Sequence, residues 1–244
     1  MNTTRKTAII AGVLFIIATA AALVSTVFTK STLDATDYLT RISANETRIA
    51  VGALFRFIAA AASAGIAISM YPVLKKYSQG LALASVGFRI IEGMLGIAVV
   101  ISLLLLTTLS REFAEAGAPA SSYFQTSGAL LLAARDWMGN VAGLLAFGLG
   151  ALMYYWIFFQ TRLVPRWLSA WGIVGILLMI VTSMLVMFRL ITPMSTAQVI
   201  LAIPIGVQEM VLAIWLIVKG FSPSAIGSLS AKTQLGEIKR ADSR

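Results

Sequence analysis

The chain has 244 residues, of which 59% are hydrophobic and 12% carry a charge, whereas soluble domains average about 45–50% apolar and about 25% charged residues. It contains 0 Cys and 0 His, which excludes disulfides, thiol nucleophiles and iron–sulfur ligation, as well as His-ligated zinc or haem and Ser–His catalysis. The formal net charge is +9, so the distribution of the basic residues decides between nucleic acid and a membrane surface.

Six apolar segments are each long enough to cross a hydrocarbon core of about 30 Å, which takes about 20 helical residues. They are, in chain order, 8–29, 49–71, 80–107, 128–159, 166–190 and 196–219. The connections are short except for 30–48 and 108–127, which we expect to be loops. These segments predict an all-α, polytopic membrane protein with six transmembrane helices in one domain over residues 1–221.

The two ends of the chain are polar. Arg5 and Lys6 precede the first segment as in a signal peptide. The apolar run continues to Phe28, however, beyond the usual 7–15 residues of a signal core, so we expect an uncleaved first helix. Residues 222–244 have no apolar period and predict a disordered tail.

The basic residues alternate between the two ends of successive segments. Eleven of the 19 Lys and Arg residues lie on the side of the termini and five on the other. Aromatic residues flank the basic side as an interfacial belt, among them Tyr71, Tyr154, Tyr155, Trp156 and Trp167. By the positive-inside rule, both termini and the tail are cytoplasmic and the protein is a multi-pass protein of the cell membrane. We therefore expect membrane lipids, and not nucleic acid, as partners of the basic surface.

Six ionisable residues interrupt the apolar segments, where each costs at least ~2.5 kcal/mol to insert. Depth, counted at 1.5 Å per helical residue from the cytoplasmic ends, separates a central group near the midplane from an outer group near the rim. The central group comprises Arg56, Arg89, Glu92 and Glu209. The outer group comprises Arg135 and Asp136, with Asn140 one turn further on.

The charged positions share helix faces with small residues, as expected for side chains that point into a bundle. Helical spacing places Ser63 on the face of Arg56, and Gly96 on the face of Arg89. The fourth segment contains the motif Gly139-x-x-x-Gly143. In a protein with six spans this motif favours packing within one chain over dimerisation.

Two interpretations of the central group stay open. Its charges sum to zero, and Arg89 and Glu92 are spaced i, i+3, which leaves Glu209 free to meet an arginine across a helix interface. Such a paired network serves packing alone. In the other interpretation the arginines hold a small anionic or polar ligand, or a carboxylate exchanges protons. For the outer group, an interfacial ion pair near lipid headgroups is the favoured interpretation.

The residues argue against most catalytic chemistry. The sequence has no phosphate-binding loop and no metal-ligand cluster, so we expect no metal and no cofactor. The favoured hypothesis is a transporter-like or small-ligand-binding membrane protein. A structural or accessory membrane protein, with charges that only fix packing, is the alternative, and a lipid-modifying enzyme ranks behind both. The oligomeric state is left open.

Several short stretches recur in a characteristic order and spacing. They are Leu54-Phe55-Arg56, Phe88-Arg89-Ile90-Ile91-Glu92, Arg135-Asp136, Leu163-Val164-Pro165-Arg166-Trp167-Leu168 and the ending from Gln208-Glu209 through Trp215 to Lys219-Gly220-Phe221. Over roughly residues 6–221 the chain thereby resembles the bacterial integral-membrane family called domain of unknown function 4386. The resemblance implies six helices in the bacterial cytoplasmic membrane and supplies no activity. It also implies that Arg56, Arg89, Glu92, Arg135 and Glu209 belong to the family pattern.

Overall fold

The protein is all-helical across the residues that its computed structural model describes, 3–119 and 122–227. Six helices in the described part of the chain are long and apolar enough to cross a membrane. Their bounds are Thr3–Leu33, Glu46–Leu74, Gln79–Glu115, Tyr123–Thr161, Arg166–Met187 and Thr196–Val218. The predicted all-α architecture with six spans is confirmed.

The helices are numbered in chain order. They are α1 (Thr3–Leu33), α2 (Tyr38–Ala44), α3 (Glu46–Leu74), α4 (Gln79–Glu115), α5 (Ser122–Asp136), a π-helical segment (Trp137–Gly143), α6 (Leu144–Thr161), α7 (Arg166–Met187) and α8 (Thr196–Val218). The helix α5, the π-helical segment and α6 together form the fourth span.

The segments predicted as loops, 30–48 and 108–127, are largely helical instead. Helix α2 lies within the first, whereas α4 continues to Glu115 and α5 begins at Ser122 in the second. Hydropathy marks only the part of a helix at bilayer depth, and polar helix ends continue into water. Local ion pairs support them: Lys30 pairs with Asp34 at 2.6 Å and Arg41 with Asp37 at 2.7 Å, both at i, i+4 spacing.

The six spans form a ring. Each spanning helix packs against its neighbours in sequence, and α1 closes the ring against α8. We call the side with residue 3, the loops 75–78 and 162–165, and the end of α8 the terminal face, and the other side the opposite face. Contacts between segments support this division into two faces. On the terminal face, Ser222 N–H donates to the Leu163 carbonyl oxygen at 2.8 Å. On the opposite face, Arg111 and Glu46 form a two-point ion pair.

Small residues allow the helices of the ring to approach closely, as expected in a bilayer. A Cβ added at Gly12 would lie 2.7 Å from the Ala213 carbonyl oxygen, and one at Gly96 would lie 2.8 Å from Ala60 Cβ. Large apolar side chains point outward in the same helices, for example Leu23 and Met94, which are 64% and 65% exposed. The ring therefore buries its small residues and presents its large apolar residues to lipid.

Arg5 closes the ring by capping the last helix. Its guanidinium donates to three carbonyl oxygens at the C-terminus of α8, those of Leu216 at 3.1 Å, Ile217 at 2.5 Å and Val218 at 3.1 Å. These carbonyls have no partner further along the helix, and a cation is favoured at this end of the helix dipole. The basic residue thus has a structural role beyond the one that the charge distribution predicts.

We expect Arg5→Gln to lower the free energy of unfolding by about 1–2 kcal/mol, because three charge-assisted hydrogen bonds to helix-end carbonyls are lost. The measurement is thermal unfolding in detergent, followed by tryptophan fluorescence. Lys6→Gln is the matched control, since it removes the same charge from an exposed neighbour. Equal effects of the two substitutions would contradict the capping role.

The described end of the chain is packed rather than loose. Residues 223–227 form a helical turn, and the Tyr77 hydroxyl donates to the Ala225 carbonyl oxygen at 3.1 Å. Burial raises the pKa of Tyr77 to about 12, so this donor keeps its proton at neutral pH. Residues 222–227 thus lie against the terminal face. Most of the predicted disordered tail, 228–244, lies outside the described residues.

Candidate functional site

A central cavity of about 380 Å³ lies within the ring. The structure brings all four central residues of the sequence prediction to its wall: Arg56 from α3, Arg89 and Glu92 from α4, and Glu209 from α8. Most of the remaining wall consists of small or apolar side chains, among them Phe147. The cavity is therefore an apolar space with a few convergent ionisable groups, which is the usual character of a small-molecule site.

Arg89 and Glu92 are paired with each other and with α3. Arg89 Nη1 lies 3.1 Å from Glu92 Oε2, in an ion pair that is not aligned as a hydrogen bond. Arg89 Nε donates to the Ser63 carbonyl oxygen at 3.3 Å, and the Ser63 hydroxyl donates to Glu92 Oε1 at 2.7 Å. The guanidinium also lies over the Phe147 ring, 4.7 Å from its centroid. These contacts hold α3, α4 and α6 together.

Arg56 and Glu209 have no such partners. Arg56 Nε and Glu209 Oε1 are buried without a hydrogen-bond partner among the described residues. Neither side chain has an ion-pair partner within 4.0 Å among those residues, so Glu209 meets neither arginine directly. Glu209 interacts with Arg89 and Glu92 only at longer electrostatic range. The central group therefore contains one ion pair, Arg89 with Glu92, and two unpaired residues, Arg56 and Glu209.

The outer group lines a second cavity, of about 330 Å³, toward the opposite face. Arg135 Nε and Nη2 donate to Asp136 Oδ1 at 3.0 and 2.7 Å. Asn140 Nδ2 donates to the same oxygen at 3.4 Å. Lys30 and Asp34, which also line this cavity, form their own ion pair. The charges of Arg135, Asp136, Lys30 and Asp34 are thus neutralised locally.

The two cavities are adjacent at Arg56, which lies in the wall of both. This residue, Gly139 and Leu144 line both the outer and the central cavity. Depth counting places Arg56 only in the central group, whereas its long side chain also reaches the outer one. It is therefore the ionisable residue that both cavities share among the described residues.

The π-helical segment, Trp137–Gly143, forms one side of this junction. A π turn widens the helix, and such segments recur at functional sites. At Gly143, an added Cβ would lie 2.8 Å from the Met138 carbonyl oxygen, so the wide turn requires a glycine. At Gly139, an added Cβ would lie 3.7 Å from Arg56 Nη2. The Gly139-x-x-x-Gly143 motif therefore serves contacts within the chain, as its interpretation from the sequence favours.

Aromatic side chains fill the interior of the ring on the side of the terminal face, beyond the residues that line the central cavity. The ring centroids of Phe15 and Tyr154 are 6.3 Å apart, those of Tyr154 and Phe158 are 5.8 Å apart, and those of Phe158 and Phe221 are 6.0 Å apart. Phe15, Tyr154 and Phe158 are at most 1% exposed, and Phe221 is 5% exposed. We call this set, with Tyr155, the aromatic closure. Sequence reasoning places Tyr154 and Tyr155 in a membrane-interface belt and so does not find this role.

Gln208 locks the aromatic closure in place. The Tyr155 hydroxyl donates to Gln208 Oε1 at 2.5 Å, and Gln208 Nε2 donates to the Leu168 carbonyl oxygen at 3.0 Å. The amide is completely buried, and both of its ends are satisfied. A polar residue beside Glu209 in an apolar helix is the signal from which this contact was predictable.

The described residues contain no cluster of three or more His, Cys, Asp or Glu side chains that could hold a metal ion. What the geometry defines is a polytopic membrane protein whose helical ring encloses a partly unpaired ionic cavity. A family model described as "Domain of unknown function (DUF4386)" matches residues 10–220. The chain belongs to this family, which confirms the resemblance. Comparisons with curated proteins and with solved structures give no match.

Proposed function

We propose that this protein is a transporter-like membrane protein that binds a small ligand in the central cavity. The observation that supports the proposal is the buried and unpaired state of Arg56 Nε and Glu209 Oε1 at the wall of one cavity. A buried polar group without a partner costs about 1–3 kcal/mol, and more when it is charged. A ligand with complementary polar groups offsets this cost, whereas packing alone leaves it in place.

The proposal gives the four central residues different roles. Arg56 and Glu209 contact the ligand, because they have free hydrogen-bonding capacity at the cavity wall. Arg89 and Glu92 bind each other and Ser63, so they position the wall of the site. The ligand is therefore recognised across the ring, between α3 and α8.

The proposed location is the bacterial cytoplasmic membrane, with both termini in the cytoplasm. The concentration of Lys and Arg on the terminal face supports this orientation. Arg162, Arg166 and Lys219 surround a surface depression on that face together with Trp215. Anionic lipid headgroups are the partners that such an interfacial basic surface attracts.

A structural or accessory role is the second candidate. The observation that favours it is the Arg89–Glu92–Ser63 network, which links α3 to α4 and needs no ligand. Buried ion pairs of this kind fix helix register in some proteins. The two candidates differ in what they predict for the unpaired residues.

Under the proposed function, Arg56→Gln and Glu209→Gln are each expected to change the free energy of unfolding by less than about 1 kcal/mol, or to raise it. Neither substitution breaks an ion pair, and each removes a desolvated charge. The measurement is thermal unfolding in detergent, with Lys6→Gln as the control, because Lys6 is exposed and lies outside the central cavity.

The structural candidate requires the contrary result. Under it, each single substitution unfolds the protein at a markedly lower temperature, because the side chain that it removes contributes to helix packing. A thermal-shift panel of small anions, cations and zwitterions adds a direct test. The proposed function requires at least one compound that stabilises the wild type and not the two Gln variants.

A further inference from the structure

The proposed function leaves the chemical class of the ligand unspecified, and the side chains around the central cavity favour one class. Resting on that function, we infer that the ligand is an amphiphilic anion, with a carboxylate or phosphate head and a short apolar body. It enters through the outer cavity from the opposite face, and Arg56 holds its head. The pairing of charges supports the anionic head, the apolar lining supports the apolar body, and the aromatic closure supports the direction of entry.

The first step is the pairing of charges around the two cavities. Three ion pairs account for most of the ionisable residues in their walls: Lys30 with Asp34, Arg135 with Asp136, and Arg89 with Glu92. Among the described lining residues, Arg56 is the one cation outside these pairs, and Glu209 is the one anion.

The two unpaired groups differ in what they require. A carboxyl group becomes neutral by taking up a proton, and it then donates a hydrogen bond. A guanidinium cannot lose its proton in a protein, so it stays charged in every state of the site. Arg56 therefore calls for an anion, whereas Glu209 does not call for a cation.

The second step is the apolar space beyond Arg56. The central cavity continues from the junction past Ala59, Phe147, Met179 and Ile205. Its volume of about 380 Å³ lies within the range of about 300–1,000 Å³ that is usual for small-molecule pockets. A fully hydrophilic anion would leave these side chains in contact with water. A short apolar chain covers them while its charged head stays at Arg56.

The third step is the direction of access. Toward the terminal face, the aromatic closure fills the ring with buried side chains. Toward the opposite face, the central cavity shares the wall residues Arg56 and Gly139 with the outer cavity. The head of the ligand thus encounters Arg56 at the entrance, and its apolar body extends inward.

A binding experiment with octanoate tests the ligand class. We expect saturable binding of radiolabelled octanoate to the full chain in lipid nanodiscs, weakened at least about tenfold by Arg56→Gln, because a charge-assisted contact is lost. Arg48→Gln, the matched control, leaves the affinity unchanged. Octylammonium has the same chain with the opposite charge and is expected not to compete.

Several outcomes overturn the inference. Octanoate binding that is absent, or that Arg56→Gln leaves intact, removes the role of Arg56 as the anion site. Competition by octylammonium as strong as that by unlabelled octanoate removes the charge preference. If another compound stabilises the wild type but not the Arg56 and Glu209 variants, the proposed function stands and only the ligand class fails.

The direction of access has a separate test, because a chain with 0 Cys accepts single cysteines without background. Asn140→Cys marks the outer cavity and Ala59→Cys marks the central one. We expect a membrane-impermeant thiosulfonate to modify both from the opposite face of oriented proteoliposomes, and octanoate to slow the reaction at position 59. Modification of position 59 from the terminal face alone would overturn the direction.

A membrane lipid could present the same anionic head from the bilayer. Asn140 lines the outer cavity and not the central one, so reaction of the Asn140→Cys variant with a bulky thiosulfonate narrows the aqueous route alone. For entry through the outer cavity, the association rate of octanoate is expected to fall about tenfold after this reaction, because the path to Arg56 is obstructed. A rate that stays within about twofold of the unreacted variant would indicate the bilayer route and overturn aqueous entry.

Discussion

Replacing Arg89 with methionine is expected to lower the free energy of unfolding by about 3–5 kcal/mol, the usual cost of removing one partner of a buried ion pair. Arg89 is 2% exposed. Its loss leaves the Glu92 carboxylate without its cation and the Ser63 carbonyl without a donor. The contact between the guanidinium and the Phe147 ring is lost as well.

The double variant Arg89→Met/Glu92→Met separates an unpaired charge from a general packing defect. Replacing both partners of a buried pair by apolar residues is often neutral, so the double variant is expected to regain most of the lost stability. Thermal unfolding in detergent, followed by tryptophan fluorescence, measures both variants. If the double variant is no more stable than Arg89→Met, the loss comes from packing and not from the unpaired carboxylate.

A methyl group at Gly172 is expected to cost about 2–3 kcal/mol of unfolding free energy, near the upper part of the range for overpacked cores. An added Cβ would lie within 2.7 Å of three ring carbon atoms of Tyr155. The ring cannot yield easily, because Tyr155 is fully buried and its hydroxyl is held by Gln208. Gly172→Ala therefore forces α7 away from α6.

Gly206→Ala is the matched control for Gly172→Ala. It makes the same change within another spanning helix, at a position where an added Cβ meets nothing within 4 Å. Because alanine is the better helix former, by about 1 kcal/mol in soluble helices, the control is expected to be neutral or slightly stabilising. Equal losses for both variants in the same unfolding assay would contradict the clash with Tyr155.

The spans were predictable because hydropathy alone marks them. Segments such as 166–190 and 196–219 agree with α7 and α8 to within a few residues at each end. Hydropathy contains no signal for the polar helix α2, which is held by burial of Leu39 and Ile42 against the bundle. Nor does it contain one for the π-helical segment, whose wide turn depends on backbone contacts at Gly143.

The sequence predicts which residues form the candidate site but not which of their charges pair. Depth and helix-face spacing bring Arg56, Arg89, Glu92 and Glu209 to one height, and they line one cavity. Which charges pair depends on how each helix is rotated about its axis, and sequence spacing fixes this only within a helix. Arg89 and Glu92 share α4, so their pairing followed from the i, i+3 spacing. The free state of Arg56 and Glu209 depends on contacts between helices and did not.

The closure of the ring between α1 and α8 has a consequence for biosynthesis. Five of the six helix contacts in the ring join neighbours in sequence, so each can form as soon as the next span has been inserted. The sixth joins Arg5 to carbonyls 211 to 213 residues away. Helix α1 is therefore inserted in the bilayer without this contact, with the guanidinium of Arg5 at the interface, until α8 has been synthesised. A chain truncated before α8 would lack both this partner and Glu209.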